Sequence, residues 1–87
     1  MKERFAVFLK ENEGKTFYTV TGLPFTYELR AYGLYISRVK DDGRHTFTYA
    51  NIYKALEMMP VSSPFGLNEL RGPSYCYAII KEFQKNT

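Results

Sequence analysis

The 87-residue sequence is long enough for one domain with a modest core, and its net charge of +3 excludes an acidic mimic of nucleic acid. The single cysteine excludes an intramolecular disulfide, and no apolar run approaches the roughly 20 residues of a membrane-spanning helix. We therefore expect a single cytoplasmic domain over residues 1–87 that has no membrane partner. Eight tyrosines and seven phenylalanines exceed what so small a core can hold, so some tyrosines should lie at the surface.

The chain should begin with a helix over residues 2–13. Phe5, Phe8 and Leu9 have the i, i+3, i+4 spacing of one helix face. Gly14 occupies the position where glycine commonly follows a helix end, because it adopts a positive φ without steric cost. The pattern therefore predicts an amphipathic helix that ends before Gly14.

Three strands are expected after this helix. Residues 16–21 are rich in β-branched and aromatic side chains, which favour a strand. Apolar and polar residues alternate over residues 25–30 and again over residues 34–39, as in half-buried strands. Short turns between the segments predict a three-stranded antiparallel meander. The first strand is apolar on both faces, so either Phe17 or Val20 could point inward.

The second half of the chain predicts two helices. Thr46 or Thr48 is expected to cap the first helix, and Pro60 ends it. Residues 61–72 should form a loop, and Pro73 should be the first helical residue of the last helix, because its missing N–H costs nothing there. The apolar faces of these two helices are formed by Tyr49, Ile52, Tyr53, Leu56 and Met59, and by Cys76, Ile79, Ile80 and Phe83.

These segments predict an α+β fold with the order α-β-β-β-α-α, in which the helices cover one face of the sheet. The other face should then be free to meet solvent or a partner. The predicted core consists of Phe5, Phe8, Leu9, Val20, Phe25, Tyr27, Leu29, Leu34, Ile36, Ile52, Leu56, Ile79, Ile80 and Phe83.

The free sheet face is the first candidate site. Arg30 and Tyr35 should lie on it, with Arg38, Lys40 and Arg44 at its end. An aromatic ring beside cationic side chains can stack on nucleic-acid bases and contact phosphates. The same residues also fit a solvated sheet face or a protein interface.

The start of the last helix is the second candidate site. The backbone N–H groups of Ser74 and Tyr75, beside the Arg71 guanidinium, would suit an anion such as phosphate or carboxylate. The alternative is an ordinary helix start, in which Tyr75 packs on the preceding loop and Arg71 is solvated.

The sequence does not predict an enzyme, a metal site or a cofactor. His45, the single histidine, falls between a turn and a helix cap, where an exposed linker residue is expected. Cys76 lies on an apolar helix face, as a small core residue would. Asp41 and Asp42 form a turn sequence with Gly43, with no third acidic ligand nearby in the sequence.

The expected function is that of a small binding module that contacts nucleic acid or a nucleic-acid-handling complex. In length and in the order of its helices and strands, the chain is also similar to some small inhibitors of Cas nucleases. That similarity implies a phage or mobile-element protein that blocks a host defence nuclease by protein binding. Many such inhibitors mimic DNA with acidic surfaces, whereas this basic chain would need tyrosine and arginine contacts. A third possibility is a homodimer joined through its tyrosine-bearing face.

Overall fold

Residues 2–85, the part of the chain that the computed structural model describes, form helices on one side of a four-stranded antiparallel sheet. The strands follow one another across the sheet in sequence order, as in a meander. This architecture confirms the α+β class with one strand more than expected. The elements are α1 (Lys2–Glu11), β1 (Phe17–Tyr18), β2 (Pro24–Leu29), β3 (Gly33–Arg38), β4 (Arg44–Thr48), α2 (Tyr49–Met58), a short 3₁₀ helix (Pro64–Leu67) and α3 (Pro73–Lys85).

The additional strand is β4, where the sequence predicted a linker and a helix cap. It pairs with β3, with His45 opposite Ile36 and Phe47 opposite Leu34. Pairing places the buried Phe47 ring in the core and satisfies the backbone groups along one edge of β3. The strand carries one strongly apolar side chain, so its period-2 pattern was too weak to recognise. Of the two expected caps, Thr48 is the N-cap residue, which directly precedes α2.

The first strand is much shorter than predicted. Only Phe17 and Tyr18 pair with β2, and Phe17 lies opposite Phe25 with 5% of its surface exposed. The chain then turns, because the N–H of Gly22 donates to the Thr19 carbonyl at 2.8 Å. Val20 falls in this turn and is 66% exposed, so its predicted place in the core is wrong. The structure therefore selects Phe17 as the inward residue.

The core lies between the sheet and the three helices. Every predicted core residue other than Val20 is buried there, except Leu29, which is half-buried and packs against the core. The Tyr27 hydroxyl is satisfied inside this core because it donates to the Leu9 carbonyl at 2.6 Å. Tyr27 thereby joins β2 to α1. Cys76, expected as a small core residue, is buried as well, and the buried apolar residues that were not on the predicted list are Phe17, Phe47, Ala55, Leu67 and Ala78.

Candidate functional site

The outer face of the sheet, which is the face opposite the helices, has Tyr35 at its centre. Tyr35 lies on β3, with Glu28 opposite it on β2 and Thr46 opposite it on β4. Thr26 and Ser37 form the next pair on the same face. These side chains are half-buried or exposed, whereas their neighbours along each strand point into the core. The outer face is therefore a polar surface with one aromatic ring at its middle.

Two arginines flank the Tyr35 ring. The guanidinium carbon of Arg30 lies 4.4 Å from the ring centroid, and that of Arg44 lies 6.0 Å from it. Both distances permit a cation–π interaction. Arg30 is also held by Glu28, since its Nη2 atom lies 2.8 Å from a carboxylate oxygen. Arg44 donates to the carbonyl oxygen of Asp42 at 2.7 Å, and it makes no ion pair with another residue of the described chain.

Of the other two basic residues, which were predicted at the end of this face, Arg38 lies on the opposite face. Arg38 is opposite Phe25 and therefore belongs to the face that bears the core, at its edge. Its Nε atom lies 3.0 Å from a carboxylate oxygen of Asp41. Lys40 is exposed in the turn between β3 and β4. Leu34, Ile36 and Arg38 are two residues apart along the strand and therefore share one face, whereas Tyr35 lies on the other. This spacing was the sequence signal that Arg38 and Tyr35 lie on opposite faces.

A cavity of about 340 Å³ lies at the start of α3, next to Arg38. We name it the α3 cavity. Its walls come from the turn after β1, from β3 and β4, and from the first turn of α3, so it forms only when the sheet and α3 are packed together. The residues that line it are Thr19, Thr21, Leu23, Arg38, His45, Gly72, Pro73, Ser74 and Tyr75.

His45 is a half-buried wall of the α3 cavity and not the exposed linker residue that the sequence predicted. Its ring centroid lies 5.6 Å from that of Tyr75. Its Nε2 atom is buried and has no hydrogen-bond partner among the described residues. Burial lowers the pKa of His45, and the nearby Arg71 and Arg38 charges lower it further. The surroundings of His45 therefore disfavour its charged form.

The helix start at the α3 cavity differs from the prediction in one respect. Pro73 is the first helical residue, as expected, but the N–H of Tyr75 donates to the Gly72 carbonyl at 3.1 Å. That group is not free for an anion, which leaves the exposed Ser74 as the polar residue of the first turn. Gly72 is needed here because a Cβ at its φ of +59° would meet the Phe47 ring at 2.9 Å.

Asn51 fixes the segment that carries Arg71, and sequence analysis missed it. Its side-chain oxygen accepts from the Arg71 N–H at 2.9 Å, and its side-chain nitrogen donates to the Arg71 carbonyl at 2.8 Å. Asn51 lies on the first turn of α2, where the Thr48 hydroxyl accepts from its backbone N–H. No local pattern connects residues 20 positions apart, so the sequence held no signal for this contact.

The remaining chemical candidates are structural. Cys76 is buried, and burial raises the pKa of its thiol to about 12. Within residues 2–85, no group of three or more His, Cys, Asp or Glu side chains could hold a metal ion. The described helices include none that is long and apolar enough to cross a membrane.

Comparison with known proteins identifies no relative of this chain. No protein-family model matches it, and neither curated proteins nor solved structures give a significant match. The function must therefore be argued from the two surfaces described above.

Proposed function

We propose that this protein is a nucleic-acid-binding module that holds single-stranded chains on the outer face of its sheet. The observation that carries the proposal is the position of the Tyr35 ring, which lies between the Arg30 and Arg44 guanidinium groups. Aromatic rings and guanidinium planes on an open sheet stack on unpaired bases, whereas the bases of a duplex are stacked on one another.

The charges around Tyr35 support a contact with phosphate on one side of the ring. Glu28 offsets the charge of Arg30, so that pair gives a planar surface with little net charge. Arg44 is the exposed cation on the other side, and Lys40 lies in the turn that precedes it. A base stacked against the Arg30–Tyr35 pair would thus have Arg44 as the nearby cation for its backbone phosphate. The net charge of +3 adds a weaker, long-range attraction.

The test is fluorescence anisotropy with labelled single- and double-stranded DNA and RNA at two salt concentrations. We expect single strands to bind more tightly than duplexes, and we expect binding to weaken with salt. Tyr35→Ala should weaken binding about tenfold, while Tyr35→Phe should keep most of it. Arg44→Gln should reduce the slope of log affinity against log salt by about 0.7.

Two matched controls make this test specific. Arg4→Gln removes the same charge from the exposed surface of α1, and Phe65→Ala removes an 80% exposed ring from the 3₁₀ helix, away from the outer face of the sheet. Both should bind like the unaltered protein. Absence of binding to all four oligonucleotides by the folded protein would overturn the proposal, and so would equal losses in Arg4→Gln and Arg44→Gln.

A second candidate function is protein binding, either to a partner such as a defence nuclease or to a second copy of the chain. It is favoured by the exposure of large apolar side chains in the turn after β1 and the turn after β3, where Val20 is 66% and Val39 is 56% exposed. Such an interface would depend little on salt and would tolerate Arg44→Gln. Light scattering of the purified protein would reveal a dimer without any partner.

A further inference from the structure

We propose that the α3 cavity is a second binding site, specific for a phosphate-type anion. It lies on the opposite side of the sheet from Tyr35, because Arg38 alternates with the outward-facing residues of β3. The site therefore does not depend on the proposed nucleic-acid surface and goes beyond it. The volume of about 340 Å³ is ample for an inorganic phosphate or for the phosphate of a small ester.

The charged groups at or next to the α3 cavity come from three segments of the chain. Arg38 on β3 lines it, and Arg71 immediately precedes the wall residue Gly72. Asp41 is the carboxylate nearby, and it is paired with Arg38. Two guanidinium groups and one carboxylate leave a net positive charge. Tyr75 also interacts with Arg38. Asp41 raises the pKa of Arg38 most, and a hydrogen bond with Tyr75 raises it further.

The unpartnered Nε2 atom of His45 is a second observation that supports a hydrogen-bonding ligand at this cavity. A buried polar atom without a partner typically costs about 1–3 kcal/mol, so such atoms are rare in folded proteins. Because His45 lines the α3 cavity, an anion bound there could accept a hydrogen bond from the protonated ring after a small shift of the side chain. Its negative charge would also offset the Arg38 and Arg71 charges that disfavour protonation of His45.

Polar groups on the remaining walls fit an oxyanion. Ser74 contributes a hydroxyl at the first turn of α3, where the helix terminus adds a partial positive charge. In the turn after β1, which also lines the cavity, the hydroxyl oxygens of Thr19 and Thr21 lie 3.1 Å apart and share one hydrogen bond. Donors from separate segments can hold different oxygens of one phosphate, whereas a carboxylate offers only two oxygens.

The test uses the single histidine as its probe. Two-dimensional NMR of the imidazole nitrogens follows the titration of His45 in inorganic phosphate and in chloride at equal ionic strength. We expect phosphate to raise the titration midpoint by about half a pH unit, with a saturable dependence on its concentration. An equal midpoint in phosphate and in chloride would overturn the proposal.

Two variants locate the bound anion. Arg71→Gln should weaken phosphate binding about threefold, as expected for loss of an exposed charge, and Ser74→Ala should also weaken it. Arg4→Gln, on α1, is the matched control and should bind phosphate like the unaltered protein. Equal phosphate affinity in Arg71→Gln, Ser74→Ala and Arg4→Gln would overturn the site.

The two proposals fail separately. Loss of oligonucleotide binding in Tyr35→Ala with phosphate binding retained would support both sites as independent. Phosphate binding without any oligonucleotide binding would overturn the proposed function and support the anion site. Oligonucleotide binding without phosphate binding would overturn the anion site alone.

Discussion

Asn51 and Arg71 are joined by two hydrogen bonds of opposite direction, from the Arg71 N–H at 2.9 Å and to the Arg71 carbonyl at 2.8 Å. The pair connects the first turn of α2 to the segment that leads into α3, which begins at Pro73. The Asn51 side chain pairs with the two backbone groups of Arg71, as a neighbouring strand would do for an extended segment. The position of Arg71 beside the α3 cavity therefore depends on a side chain in another helix.

Replacement of Asn51 should destabilise the protein. Asn51→Ala removes the partner of the Arg71 N–H and leaves the Arg71 carbonyl with only the Cys76 thiol at 3.6 Å, so we expect a loss of about 1–3 kcal/mol in the free energy of unfolding. Denaturation in urea, followed by circular dichroism, would measure it. Asn68→Ala is the control, since Asn68 is exposed, and it should change stability by less than about 0.5 kcal/mol. Equal stability of the two variants would contradict the assigned role.

The Tyr27 hydroxyl should contribute to stability through its bond to the Leu9 carbonyl. Tyr27→Phe keeps the buried ring and removes the donor, so the free energy of unfolding should fall by about 1 kcal/mol. Tyr32→Phe provides a matched control, because the Tyr32 side chain is 47% exposed in the turn between β2 and β3. If Tyr32→Phe lowered the free energy of unfolding as much as Tyr27→Phe, the hydrogen bond between Tyr27 and Leu9 would not be the cause of the loss.

Gly33 should tolerate no side chain, because β3 and β4 approach closely there. A Cβ on Gly33 would collide with the carbonyl oxygen of Phe47 and would lie 2.6 Å from the Cα atom of Thr48. Both atoms belong to the backbone, so relief requires a shift of β4. We expect Gly33→Ala to cost about 3 kcal/mol, measured by thermal or chemical denaturation. Gly14→Ala is a useful comparison, since no atom lies within 4 Å of a Cβ there and only its positive φ opposes the change.

Protonation of His45 should reduce stability at mildly acidic pH. Its pKa is lower in the folded protein than its ordinary value of 6.5, first through burial and then through Arg71 and Arg38. The unfolded chain therefore binds the proton more readily, and the stability present above pH 6.5 is lost as the pH falls through that value towards the folded pKa. The pKa of Asp41 is lowered mainly by the hydrogen bond from the Gly43 N–H, so the stability that Asp41 contributes is lost only as the pH falls below about 3.8.

The measurement is the urea midpoint as a function of pH, in chloride buffers. The unaltered protein should lose stability between about pH 7 and about pH 5, and His45→Gln should lose less over the same interval. A parallel decline in both proteins would assign the acid sensitivity to other groups.

Cys76 should be inert towards thiol reagents while the protein is folded. Burial raises the pKa of the thiol from 9.0 to about 12, so at neutral pH the folded protein holds about a thousandfold less thiolate than the unfolded chain. Reaction with a chromogenic disulfide should therefore be slow in buffer and fast in denaturant. Rapid modification of the folded protein would show that Cys76 is accessible.

Helix ends could be predicted from the sequence because their signals are local. Thr48 before α2 and Pro73 at the start of α3 act through their own backbone geometry or an adjacent N–H group, whatever surrounds them. The first helix ends at Glu11, two residues before its predicted end at residue 13, and Gly14 follows with a positive φ of 85°. The alternation of apolar and polar residues in β2 and β3 could also be recognised in the sequence, because each strand has one face packed on the core.

The candidate surfaces were only partly predictable. Local alternation placed Arg30 and Tyr35 on one face, and counting by two from Ile36 also separates Arg38 from them. The pairing of β3 with β4, which puts Arg44 beside Tyr35, needed the tertiary structure. The sequence thus predicted which residue types lie on the outer face, while the pairing of the strands set the distances between their side chains.

The sequence alone determined the fold class, the helix starts and the basic, tyrosine-rich character of this protein, because composition and short-range periodicity act within a few residues. Only the tertiary structure decided the burial of Phe17, the existence of β4 and the meeting of Arg38, His45 and Ser74 at one cavity. Each depends on contacts between segments distant in the chain, whose free energy comes from burial of apolar surface and pairing of backbone groups.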